Sequence, residues 1–298
     1  MNTATGVLVT SVPSISSSAV YAELSISVWT GRKLDKRATK ETCAGNGAAD
    51  GMGSFHKKLM GDCASLDAVQ KFAANARNAH YYSTMPWSDL GMRLLPTTMY
   101  AEYVRAITET ETEFVRLVNV FLGEYEWAQA EAQARLGSLY NPDDYPSRDS
   151  LSAKFRFRHA QTPVPDAGDF RLDIGAEASA IIAQQYRKHY AEQLHNAMGD
   201  VWQRTYDALK KMSDKLDYTD GEDKDTRKIF RDSLVSNVQD MIGLLAKFNV
   251  TGDARMEEMR VQLEDAMTGV SPEALRGDDE FRADTKARVD AVLNSMKW

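Results

Sequence analysis

The chain has 298 residues, enough for one or two domains, and its 43% hydrophobic and 27% charged residues exclude a disordered polymer. A net charge of -7 excludes a global electrostatic pull on nucleic acid or anionic lipid, so any such binding needs a local basic patch. Two cysteines, Cys43 and Cys63, point to a reducing compartment without a disulfide framework, and no apolar run is long enough to span a bilayer.

The first eighteen residues, MNTATGVLVTSVPSISSS, carry neither an early basic residue nor a long apolar run. They read as a flexible N-terminal arm and not as a secretory signal, which places the protein in the cytoplasm. Tyr21–Trp29 alternates Leu24, Ile26 and Val28 with Glu23, Ser25 and Ser27, the period of two of a strand with one wet face. The stretch TKETCAGNGAADGMGS is rich in glycine and small residues and reads as a flexible loop. Ser65 opens a helix to about His80, and Pro86 and Pro96 bracket an irregular link.

From Thr97 or Thr98 the scale changes. Tyr100, Ile107, Phe114, Phe121 and Ala128 recur every seven residues, with Val104, Val118, Tyr125, Ala132 and Leu139 at the second heptad offset. This predicts a helix of about 40 residues and about 60 Å, ended by Pro142 and Pro146. Glu111 interrupts the seam and reads as a register device or the end of a contact. A second long helix is expected from about Gly175 to Asp217, with the stripe Ile182, Tyr186, Tyr190, Leu194, Met198, Val201, Leu209, Met212 and Leu216. Helices over about 223–249 and 253–268 follow, then Ser271-Pro272 as an N-cap with proline in the first turn, then a last amphipathic helix. Between the long helices, Lys154–His159 and Asp169–Ile174 alternate as the two strands of a hairpin, with the Tyr21–Trp29 strand as their natural partner.

The expected fold is therefore mainly α with a small antiparallel β-sheet. Two long helices form an elongated antiparallel arm, and helices make up the C-terminal region. Residues 19–175 and 176–298 are expected to intertwine in one domain behind the 1–18 arm. The long-helix seam is equally able to pair between chains, so a homo-oligomer is expected.

Few stretches carry chemistry. In KFRFRHAQTPVP (Lys154–Pro165), arginines beside phenylalanines suit single-strand binding, but a period of two places the two kinds on opposite faces. The reading of phenylalanines in the core and arginines in solvent is preferred, and a basic face alone still suits phosphates. The glycine stretch Gly45–Lys58 lacks the Gly-Lys-Ser/Thr ending of a phosphate-cradling loop. Glu192-x-x-His195 occurs once, whereas di-iron bundles repeat that element, and Cys43, Cys63 and His56 fall short of a zinc ligand set. No nucleophile motif is present, so no catalytic, metal or cofactor residue is assigned.

The succession LSISVWTGRK (Leu24–Lys33), GSFHKKL (Gly53–Leu59), KFAANARNAHYY, EFVRLVNVFLGEY (Glu113–Tyr125) and SPEALRGDDEFRADTKARVDAVLNSM resembles a family of uncharacterised proteins of tailed phages and prophages, over residues 20–297. Its members often lie beside genes for a MoxR-type AAA+ ATPase and a von Willebrand A or cobalt-chelatase-like protein. The resemblance implies a partner in an ATPase-driven remodelling assembly in the host bacterial cytoplasm, and it brings no catalytic residues. The glycine stretch from Cys43 to Gly53 is longer than usual there and stays unassigned.

The resulting expectation is a non-enzymatic phage protein acting through protein–protein interaction as an adaptor or assembly factor. The alternative is a nucleic-acid-binding or recombination accessory protein. It would use Arg32 and Lys33, with Lys36 and Arg37, merged with Lys154, Arg156 and Arg158 by pairing of the N-terminal strand beside the hairpin.

Overall fold

The computed structural model describes residues 14–165, 175–217 and 232–296. In chain order it contains β1 (Ala19–Ser27), β2 (Arg32–Leu34), α1 (Lys36–Gly45), β3 (His56–Lys58), α2 (Ala64–Tyr82), β4 (Met85–Pro86) and β5 (Arg93–Pro96). Then come α3 (Tyr100–Leu136), α4 (Arg148–Ser152), β6 (Arg156–Pro163), α5 (Ala176–Leu216), α6 (Ser233–Phe248), α7 (Ala254–Ala266), α8 (Pro272–Gly277) and α9 (Asp279–Ser295). The fold is mainly α with a small antiparallel sheet. The larger sheet has strand order β4-β5-β1-β6, and β2 pairs with β3 in a separate ribbon. The chain divides into two compact units, one of Met1–Ala22, Ser83–Ala101 and Gln161–Trp298, the other of Glu23–Tyr82 and Glu102–Ala160.

In the second unit, β1 keeps its alternation, with Glu23, Ser25 and Ser27 exposed and Leu24 and Ile26 half-buried. Helix α1 corrects the expected loop: Thr39–Gly45 is helical. Asp35 caps it, its carboxylate accepting from the Ala38 N–H at 3.0 Å and its carbonyl from the Thr39 hydroxyl at 2.7 Å. The cap and the burial of Ala38 and Cys43 outweigh a composition that favours turns, and the glycines begin only at the helix end.

Helix α3 runs 37 residues and buries Ile107, Phe114, Val118, Phe121, Tyr125, Ala128 and Ala132, which is the heptad stripe. Tyr100 lies outside the stripe and is exposed. The stripe is covered inside the same unit by Leu66, Val69 and Ala73 of α2, by Phe155, and by Ile26, Val28 and Trp29. Trp29 sits edge-on to Tyr125 at 6.1 Å, and Phe155 edge-on to Phe121 at 5.7 Å. The seam on which pairing with the second long helix or with another chain was expected is thus already filled. Glu111 turns to β6, 3.5 Å from His159 Nε2.

In the first unit, the Pro86–Pro96 link is irregular only over 87–92: its two ends form β4 and β5. Both prolines stand at strand ends, where a missing N–H breaks no ladder. β5 pairs antiparallel with β1 from Ala19↔Pro96 to Ala22↔Arg93, so the expected three-stranded sheet has four strands. The Asp169–Ile174 strand lies outside the described residues. α5 runs 41 residues and packs against α6 and α9, burying Leu194, Val201, Leu209, Met212 and Leu216. The part of the expected 223–249 helix before Asp232 also lies outside the described residues. α7 packs on α6 and α9, and α8 on α9. Ser271 caps α8, accepting from the Ala274 N–H at 3.2 Å, with Pro272 in the first turn as expected.

Gly31 sits between β1 and β2 with φ at +63°, a backbone that side chains with a Cβ rarely adopt. A Cβ there would also lie 2.9 Å from Leu66 Cδ2. Gly31→Ala is expected to cost about 1–2 kcal/mol from the left-handed backbone alone. Urea unfolding checks this, and an unchanged midpoint refutes it.

Candidate functional site

The ribbon β2–β3 begins at the Gly31 turn and has the register Arg32↔Lys58, Lys33↔Lys57, Leu34↔His56. Directly opposed residues of an antiparallel pair share a face, so Arg32, Lys58, Leu34 and His56 lie on one side and Lys33 and Lys57 on the other. All are exposed except Lys57, which is 6% exposed.

A buried lysine needs partners, and Lys57 has three. Its ammonium lies 3.1 Å from Asp35 Oδ2 and 2.7 Å from Asp144 Oδ2, and donates to the Leu139 carbonyl at 2.7 Å. All three donors of the group are thereby committed. Burial pulls its pKa down, but the hydrogen bonds to Asp144 and Asp35 outweigh that and leave it raised. The Asp35 carboxyl is held below the usual range, first by the Ala38 N–H at the helix cap and then by Lys57. The ribbon is further fixed by the Leu59 N–H donating to the Gly31 carbonyl at 2.7 Å and the Asp35 N–H to the Phe55 carbonyl at 2.9 Å.

Beside the ribbon is a polar cleft of about 80 Å³ whose lining includes Arg32, Lys58, Gly31, Gly61, Asp62 and Asp67. Asp62 pairs with Arg135 at 2.7 Å, and that hydrogen bond lowers its pKa. α1 leaves directly from the end of β2 with Lys36, Arg37 and Lys40 exposed, and Arg37 donates to the Ser138 carbonyl at 3.1 Å.

On β6, Arg156 and Arg158 are exposed and Phe157 and His159 half-buried, with Lys154 exposed just before the strand. Phe157 packs on Phe114 at 5.5 Å. The phenylalanines therefore face the core and the arginines face solvent. β1 is the neighbour of β6, but Arg32 and Lys33 do not follow it into that sheet, because the chain turns at Gly31 into the separate ribbon. The two predicted basic clusters are not merged by strand pairing. The residues missed from sequence are Lys57, Lys58 and His56. Their signal was the HKK run, which acquires meaning only once β3 is paired with β2.

A second surface stands on α3. Opposite its buried stripe, Val120, Gly123, Trp127, Ala130 and Ala134 fall on one exposed face, with Trp127 71% and Val120 42% exposed. Glu192 and His195 are exposed on α5, with Glu192 3.9 Å from Lys188. Among the described residues, no group of three or more His, Cys, Asp and Glu side chains is placed to hold a metal, and no helix is long and apolar enough to cross a membrane. Compared with family models, curated proteins and solved structures, the chain matches none.

Lys57→Met leaves the carboxylates of Asp35 and Asp144 largely buried without their cation, and is expected to cost about 3 kcal/mol. Faster hydrogen exchange at the Asp35 amide reports it; unchanged protection there refutes the anchoring role.

The pH dependence has two edges. Asp35, with its folded value depressed, contributes above its ordinary value near about 4 and loses that contribution as pH falls through the folded value. Lys57, with its folded value raised, contributes below about 10.4 and loses it as pH rises through the folded value. Protection of the same amide is expected to hold between those edges and to fall beyond both.

Proposed function

We propose that the protein is non-enzymatic and works by binding another protein through the outward face of α3. The observation that carries this is Trp127, 71% exposed in the last third of a long, well-packed helix. Aromatic side chains of this size are the commonest energetic anchors of protein interfaces. Covering one removes about 150–250 Å² from water, worth roughly 4 kcal/mol. Gly123, one turn before it, has open space where a side chain would stand, so a partner's side chain can seat beside the indole ring. Val120, Ala130 and Ala134 extend the apolar face along the same line.

The inner side of α3 supports the same reading. Phe114, Phe121 and Tyr125 fix it against α2 and Phe155, so the outer face is offered on a rigid element and little ordering entropy is lost on docking. The resemblance to the phage family supports a partner belonging to an ATPase-driven remodelling assembly in the bacterial cytoplasm, with this chain as an adaptor or assembly factor.

A photo-crosslinking residue at position 127, expressed in the bacterial host, is expected to trap a discrete adduct. The same residue at Val261, an exposed apolar position on α7, is expected not to trap it. Excess unlabelled protein should compete the adduct away, while Trp127→Ala protein should not. That variant should melt within about 0.5 kcal/mol of the parent, since it removes no core contact. Equal labelling from both positions sinks the reading.

A further inference from the structure

We infer that the β2–β3 ribbon, continued by α1, is a binding surface for the phosphates of a single-stranded nucleic acid. It is separate from the α3 face and rests on different residues.

Charge distribution is the first ground. Between Arg32 and Lys58 seven Lys and Arg residues stand against three acidic ones, in a chain whose net charge is -7. Four of the nearby carboxylates are already committed: Asp35 and Asp144 to Lys57, Asp62 to Arg135, and Glu41 to Arg37 at 3.7 Å. Arg32, Lys33, Lys36, Lys40 and Lys58 form no ion pair within the described chain and are exposed.

The second ground is register. Arg32 and Lys58 stand directly opposite each other on one face of the ribbon. Like charges in that position destabilise a strand pair, and a strand pair of three residues has little to set against the cost. The ribbon forms because its other side is pinned by the buried Lys57 cluster. A polyanion laid across Arg32 and Lys58 turns the repulsion into attraction.

The neighbouring cleft decides what kind of anion fits. Asp67 lines it together with Arg32 and Lys58 and forms no ion pair among the described residues, so a small anion settling inside would meet an uncompensated carboxylate. An extended strand crossing the rim and running on towards Lys36 and Lys40 avoids it. Leu34, 43% exposed, and the exposed His56 stand on the same face as Arg32 and Lys58 and supply apolar and ring surface on which unpaired bases can lie. Basic side chains tracking a backbone beside stacking surfaces are how single strands are held without sequence preference.

The test is fluorescence anisotropy with a labelled single-stranded oligonucleotide across a salt series. Three to four phosphate contacts predict a slope of log affinity against log salt of about -2 to -3. Arg32→Glu/Lys58→Glu is expected to lower affinity at least about tenfold and to flatten the slope by about 1.4. His56→Ala should lower affinity about fivefold or more at an unchanged slope. The neutral pair Arg32→Gln/Lys58→Gln, with its circular dichroism and melting compared with the parent, separates lost contact from lost fold. Inorganic phosphate at millimolar concentration should not compete. The inference is overturned by any of three results: no binding at low salt, equal binding of a duplex or of poly-glutamate, or loss of binding in Arg156→Glu/Arg158→Glu but not in the ribbon variant. Trp127→Ala should leave the anisotropy unchanged, so failure here and failure of the α3 reading are read separately.

Discussion

A lysine ammonium taken out of water must exchange its hydration for fixed partners, and the cluster around Lys57 shows how much structure that requirement recruits. Asp35 arrives from the cap of α1, Asp144 from the turn Pro142–Asp144, and the Leu139 carbonyl from the chain just beyond α3. Each of those segments is short or irregular, with little apolar surface of its own. What holds them in place is a shared cation whose three donors reach three different pieces of chain. Asp35 is further stabilised in its ionised form by the backbone N–H of Ala38, which holds it ready for the shared cation. Removing one member strands the others in a site they cannot leave cheaply.

The rest of the same unit is organised by a different force. α3 presents Phe114, Phe121 and Tyr125 to α2, Trp29 and Phe155, and the aromatic rings meet edge-on or tilted at centroid distances between 5.5 and 6.2 Å. Apolar burial is non-directional, but ring geometry is not, and the tilted contacts give the core one preferred arrangement. Phe121 is completely buried at the centre. The polar cluster and the aromatic core divide the work: the core holds the long helix, and the cluster holds the ribbon and turns that the core does not reach. Both surfaces proposed for binding stand on scaffolds fixed from behind.

Much of this was legible in the sequence wherever a period was long enough to read. The seven-residue recurrence from Ile107 to Ala132 marks a long amphipathic helix and its buried face. The alternation of Phe155 and Phe157 with Arg156 and Arg158 marks the inner and outer sides of β6. Misreadings cluster where composition and context disagree. Thr39–Gly45 looks like a loop by its small residues, yet an aspartate cap and two buried positions make it a helix. Pro86 and Pro96 look like breakers, yet each closes a strand at an end that needs no N–H. The heptad seam looks like a coiled-coil contact, yet α2 and the sheet residues fill it, because burial rewards any apolar surface of suitable shape and not only another long helix.

Where a period runs long enough, the sequence by itself determined the local geometry: which of those stretches are helical or extended, and which side of each is apolar. Those properties follow from the 3.6-residue and two-residue periods of the backbone, which act over a few neighbours. Only the tertiary structure decided which apolar side meets which, that β2 leaves the main sheet at Gly31 to pair with β3, and that Lys57 is buried while Lys58 beside it is not. These depend on residues far apart in the chain. Lys57 finds Asp144 and Leu139 more than eighty positions away, and no local pattern specifies a partner at that range.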